Sequence, residues 1–170
     1  MKDPNRADVE EKIRAAFRGV QLGRGVSLAQ AQAINRRDGA LTDDAFRALP
    51  QSENTERWEA LSLSELDRDC IAHLDAEGFR YYIPAFILSL LETYDPSSMR
   101  VIGTLSALYP KQSSWDYHMQ QYSALNEAQR VAIATFLSKL PAMIELEPEE
   151  LKQVQRGLRN YWHEFVDART

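Results

Sequence analysis

Apolar residues recur at intervals of three and four along almost the whole chain, and no segment alternates apolar and polar positions between hairpin turn residues. The pattern predicts an all-α protein. A first helix is expected from about Asn5 to Phe17, with Val9, Ile13, Ala16 and Phe17 on one stripe, followed by a loop containing Gly19, Gly23 and Gly25. Ser27 and Gln30 stand at capping-box spacing and open a second helix that should end near Asp38-Gly39. Residues 40–61 read as a loop with one or two short helices, because a start after Thr42 is soon stopped by Pro50. Ser62 and Glu65 repeat the capping-box spacing, and Leu66, Cys70, Ile71 and Leu74 then recur at helical intervals until Glu77-Gly78 offers a stop.

The most apolar stretch follows, and it contains Pro84. Inside a helix a proline lacks a donor and collides with the preceding turn, at about 3 kcal/mol or more; at the first helical position neither penalty applies. The expectation is a non-helical "GFRYY" connection and a central helix starting at Pro84, with Phe86, Ile87, Leu90, Leu91 and Tyr94 on its main stripe. Asp95-Pro96 repeats that grammar for a helix carrying Val101, Ile102, Leu105, Leu108 and Tyr109 up to Pro110. Residues 111–125 stay open, with Trp115, Tyr117 and Tyr122 able to pack from a short helix. Asn126 with Gln129 caps a helix that buries Ile133, Phe136, Leu137 and Leu140, and Pro148, Glu149 and Glu150 open a long one running through Leu151, Val154, Leu158, Trp162 and Phe165. These elements predict a compact bundle of about six to eight helices around the Pro84 helix, in one domain: an N-terminal helix and glycine loop (1–24), a core (25–140) and a C-terminal helix (141–170).

Composition narrows the partners. A chain of 170 residues with 44% apolar content can bury one sizeable core. Its net charge of −5 argues against general affinity for nucleic acid or anionic lipid, which needs neutralising Lys and Arg. The charge is uneven: through Leu41 there are 8 Lys/Arg against 5 Asp/Glu, and from Thr42 onward 12 against 20, giving a mildly basic arm and an acidic body. One cysteine, Cys70, excludes an intrachain disulfide and suits a reducing compartment, the N-terminal residues lack a secretory apolar stretch, and "IPAFILSLL" is too short to span a bilayer; a cytoplasmic protein is expected.

Four segments, "GVSLAQAQAI", "RWEALSLSEL", "LDAEGFRYYIPAFILSLLE" and "YSALNEAQRVAIATFLSKL", occur in an order that resembles a bacterial family known only as a domain of unknown function, marked by a "GFRYYLPA"-like segment. The resemblance runs from about Gly25 to Leu140, leaving the first and last helices outside it. It implies a bacterial origin and one integral domain, and brings no activity, cofactor or catalytic residue.

Candidate chemistry is sparse. Arg80, Tyr81 and Tyr82, at the entrance of the expected Pro84 helix, present a cation and two aromatics beside free amides, a combination suited to an anion or a binding partner; the alternative is that the aromatics plug the core while Arg80 pairs with Asp75 or Glu77. Asp69 and His73, one helical turn apart, with Asp75 and Glu77 behind, carry the residue types of a metal or acid–base cluster, against which stands an ordinary solvated helix face. His118 and His163 show no ligand spacing with His73, and neither a P-loop, GxSxG nor GxGxxG motif is present. Cys70 reads as a small buried thiol. Glu145, Glu147 and Glu150 form an acidic surface that would attract a basic protein, though acids also suit the first turn of a helix. Two readings follow: a non-catalytic interaction module, adaptor or immunity-like, with a basic protein partner and no metal or cofactor; or a metal-assisted hydrolase or small-ligand-binding protein using Asp69, His73, Asp75 and Glu77.

Overall fold

Cap residues set most of the helix starts. The computed structural model describes residues 3–36, 41–68 and 70–166. Asp3 accepts the Asn5 amide and opens α1 (Pro4–Ala16), and Ser27 and Gln30 exchange side-chain and backbone bonds to open α2 (Leu28–Asn35). The expected end at Asp38-Gly39 lies outside the described residues. Thr42 caps α3 (Asp43–Ala48), Ser62 with Glu65 caps α4 (Leu63–Leu66), and Asp75 caps α5 (Ala76–Glu92). Then come α6 (Met99–Ala107), α7 (Trp115–Tyr122), α8 (Glu127–Met143) behind the Asn126–Gln129 box, and α9 (Pro148–Asn160). Short 3-10 turns occupy Leu49–Ser52, Trp58–Ala60, Ile71–His73, Gln112–Ser114 and Trp162–Phe165. The fold is all-α, with no strand among the described residues; the nine helices found there exceed the expected six to eight because α3 and α4 are only one or two turns long.

The central helix does not start at Pro84. It starts eight residues earlier, at Ala76, because the Asp75 carboxylate accepts the Gly78 amide at 2.9 Å, so Glu77-Gly78 belongs to an opening turn rather than a stop. Pro84 sits in the helix interior. Its local penalty of about 3 kcal/mol is outweighed by burial of Phe79, Tyr81, Tyr82, Ile83, Phe86, Ile87, Leu90 and Leu91 along the same helix, each contributing roughly 1.5–3 kcal/mol. Gly78 also admits the chain from another segment: a Cβ there would lie 2.5 Å from the Val26 carbonyl oxygen, and a Cβ at Gly25 would lie 2.7 Å from the Gly78 nitrogen. The Val26 amide in turn donates to Asp75 at 2.9 Å.

Three further expectations change. Leu66, Cys70, Ile71 and Leu74 are all buried, yet not on one helix: α4 stops at Leu66, and the carbonyls of Ile71 and Leu74 accept from the Gln121 side chain at 3.1 and 3.0 Å instead of from a continuing helix. Asp95 accepts the amide and hydroxyl of Ser97 in a local turn, which moves the start of α6 to Met99 and leaves Ile102 exposed. The last helix ends at Asn160, where Tyr161 takes φ −146°, and the buried Trp162 donates to the Leu108 carbonyl at 2.9 Å. Gly157 packs against that same carbonyl, which a Cβ would approach to 2.9 Å.

Packing joins these pieces around one contiguous core that includes Val9, Phe17, Trp58, Phe86, Leu90, Phe136 and Trp162. Helix α1 lies along α8, while α5 meets α1, α6 and α7. Beside the core, Tyr82 donates to the buried carboxylate of Glu53, which also accepts the Leu28 amide at 2.9 Å and lies 3.5 Å from Arg68. Burial raises the Glu53 pKa, opposed by these bonds.

Two outcomes check this account. Gly78→Ala should destabilise the protein by about 1–3 kcal/mol through overpacking, net of a gain of up to about 1 kcal/mol in helix propensity, as read from the urea midpoint. Because the folded pKa of Glu53 lies above the unfolded value of 4.5, the folded state holds the proton where the unfolded chain has lost it, so this group's stabilisation is complete below the unfolded value and is lost as pH rises through the folded one. Wild type should therefore gain stability relative to Glu53→Gln as pH is lowered from neutral toward about 4.5; an identical pH profile for both proteins would refute the assignment.

Candidate functional site

Burial removes the expected Arg80–Tyr82 site from the surface. These residues lie in the second turn of α5, not beside its free amides, and Tyr81 and Tyr82 are fully buried, Tyr81 donating to the Asn54 carbonyl at 3.0 Å and Tyr82 to Glu53. Arg80 is half-buried, its Nε without a hydrogen-bond partner, and among the described residues it forms no ion pair with Asp75 or Glu77. Glu145 and Glu147 are exposed as expected; Glu150 is drawn inward, accepting the Glu147 amide at 3.0 Å and the Tyr94 hydroxyl.

The expected His73 cluster is also rearranged. Asp69 lies outside the described residues. His73 sits in a 3-10 turn rather than on an α-helix, and its Nε2 contacts Asn35 Oδ1 at 3.0 Å. Asp75 Oδ1 is taken by two amides. Among the described residues no group of three or more His, Cys, Asp and Glu side chains is placed to hold a metal ion.

What the fold does assemble is a cleft between the 71–75 lead-in to α5, helix α6 and helix α7. It encloses about 390 Å³, with Ile71, His73, Ser106, Lys111, Tyr117, His118 and Gln121 among its lining residues. Tyr117 donates to the Ala72 carbonyl across the cleft, and a second hollow of about 520 Å³ on its other side shares Ala72, His73, Tyr117 and Gln121. His118 and Gln121 are one turn apart on α7, so their side chains share a face. Both are at least nine-tenths buried, and two of their polar atoms, His118 Nδ1 and Gln121 Oε1, have no hydrogen-bond partner. Burial holds the His118 pKa below the usual imidazole value; the Ala107 carbonyl opposes the shift and Lys111 adds to it. The ring stacks edge-on against Tyr117 at 5.1 Å and lies 5.9 Å from Tyr122, which fixes its plane. The cleft is thus lined by hydroxyls, the amides of Asn35 and Gln121, imidazoles and one lysine, with no carboxylate. Such a lining suits recognition of a small polar molecule.

A family model described as a family of unknown function (DUF6714) matches residues 5–166. The chain belongs to this family. The DUF6714 match takes in α1 and α9, beyond the Gly25–Leu140 stretch over which the sequence resemblance runs. Neither a characterised protein nor a solved structure matches the chain. No helix among the described residues is long and apolar enough to cross a membrane.

Lys111, Tyr117, His118 and Gln121 all come from the 111–125 segment that periodicity leaves open. Their signal in the sequence is the polar pair at positions 118 and 121 on a segment whose aromatics, Trp115 and Tyr122, pack inward or against Tyr161. Since burial depresses the His118 pKa below the unfolded value of 6.5, its contribution to stability is present above that value and is lost as pH falls through it toward the folded pKa. Wild type should lose stability relative to His118→Gln on acidification from about pH 7.5 to 5.5, followed by chemical denaturation; a parallel loss in both proteins would show that His118 is not held neutral by the fold.

Proposed function

We propose that the chain is a binding protein without catalytic chemistry of its own, and that its recognition site is the cleft floored by His118 and Gln121. The observation that carries this reading is the cleft itself, about 390 Å³ walled by polar side chains of Ser106, Lys111, Tyr117, His118 and Gln121 beside Ile71 and Ala107, with no carboxylate. The exposed side chain of Tyr117, which lines the cleft from α7, offers apolar contact there.

A second reading is a basic protein drawn to the acidic body, favoured by the exposure of Glu145, Glu147 and Glu149 around the start of α9. Its mark would be an association rate that falls with salt. The bacterial and cytoplasmic setting belongs to the same proposal and rests on the sequence resemblance and on the chain having a single cysteine, Cys70, and so no intrachain disulfide.

A fragment library observed by protein NMR tests the cleft. Polar fragments should shift the His118 ring and Gln121 side-chain resonances of wild type. They should bind about tenfold or more weakly to Gly103→Leu, which places a side chain in the cleft wall while improving helix propensity in α6. Fragments that bind without moving those resonances, or that bind Gly103→Leu equally well, would overturn the proposal.

A further inference from the structure

Helix α6 carries an open packing site that continues the cleft. Gly103 and Ser106 belong to the cleft wall. Met99 stands one turn before Gly103, and Ile102 one turn before Ser106, so the four share one face of the helix. Their spacing of i, i+3, i+4 and i+7 is that of the hole into which a facing helix inserts a side chain. This hole opens to solvent: Met99 is 50% exposed and Ile102 40%, whereas Val101 and Leu105 on the same helix are buried. Glycine at one corner and serine at another leave it deep. No strand is present among the described residues, so an extended segment finds no sheet edge to join, and a helix is the element that the spacing accepts.

Charge selects the kind of helix. Three exposed cations stand around this face: Lys111 beyond the C-terminal end of α6, Arg156 three residues after Gln153, whose side chain reaches Ser106 at 3.3 Å, and Arg36 beside the cleft residue Asn35. None of the three forms an ion pair among the described residues. The neighbouring acids are engaged or turned away. Asp67 pairs with Arg100 and Glu149 with Lys152, while Asp116 lies on the far side of α7 from His118 and Gln121. Asp95 bonds Ser97 at the opposite, Met99 end of the helix. In a chain of net charge −5, the Ser106 end of α6 is therefore a place where carboxylates are attracted.

We infer that α6 and the adjoining cleft dock an amphipathic helix of another protein, its apolar stripe on Met99 and Ile102 and its Asp or Glu side chains toward Lys111 and Arg156. The inference rests on the cleft being the recognition site and names its partner.

A displayed library of single helices of about 20 residues, varied along the stripe and its flanks, tests this against the intact chain, with anisotropy titrations of the selected peptides. Asp and Glu should be enriched over Lys and Arg, and binding should weaken about tenfold or more on Ile102→Glu. Lys111→Glu combined with Arg156→Glu should turn the selection toward Lys and Arg. All three positions are exposed, so the melting temperature should stay unchanged in each variant. Ile102 does not line the cleft, so polar fragments should still shift His118 and Gln121 in Ile102→Glu. Enrichment of Lys and Arg by wild type, binding indifferent to Ile102→Glu, or a library that yields no binder would overturn the inference while the fragment result decides the cleft separately. Sedimentation showing wild type paired with itself and Ile102→Glu monomeric would overturn it in favour of a second copy of the chain.

Discussion

The carboxylate of Asp75 holds the centre of this fold together. One of its oxygens accepts two amides, that of Gly78, which starts α5, and that of Val26, which draws the glycine loop onto the new helix. The two backbones then meet at a separation only glycine permits, at both Gly25 and Gly78. With the helix start set there, residues 71–75 must approach in a non-helical path, and their carbonyls turn to Gln121 on α7. The cleft is a by-product of that path: a short 3-10 turn facing a helix leaves room that two packed helices would have filled.

Buried polar groups elsewhere show the contrast. Arg100, also buried, donates to Asp67, to Ser89 and to the Thr93 carbonyl, each at 3.0–3.1 Å, so that each of its three nitrogens has a partner and α6 is tied to the end of α5. A group with a partner on every nitrogen is architecture. His118 and Gln121 are equally buried and keep capacity unused. The difference lies in hydrogen bonding rather than in residue type.

Helix starts were largely legible in the sequence, because capping is local: the Ser27, Ser62 and Asn126 boxes and the Pro148 start all appear where the spacing puts them. Pro84 was misread for the complementary reason. Its penalty is visible within four residues, whereas the burial that overrides it depends on α1, α6 and α7, which no local window contains. Gly78 looked like a terminator because its real constraint, the carbonyl of Val26, comes from 52 positions earlier in the chain. The candidate site failed in the same way. Tyr81 and Tyr82 are the residues a binding patch favours, but the core needed them, and the cleft draws its walls from the turn at 71–73 and from α6 and α7, which no local window joins.

The joint reliance of Gly157 and Trp162 on the Leu108 carbonyl has a temporal consequence. During synthesis α6 emerges well before the residues that cover its end, and at translation rates of about 5–20 residues per second it waits for seconds with that carbonyl and the aromatic surface of Tyr122 uncovered. Until the last turn arrives the nascent chain exposes the kind of apolar surface that holding chaperones bind, and a ribosome stalled upstream of Gly157 leaves an incomplete core rather than a smaller folded protein.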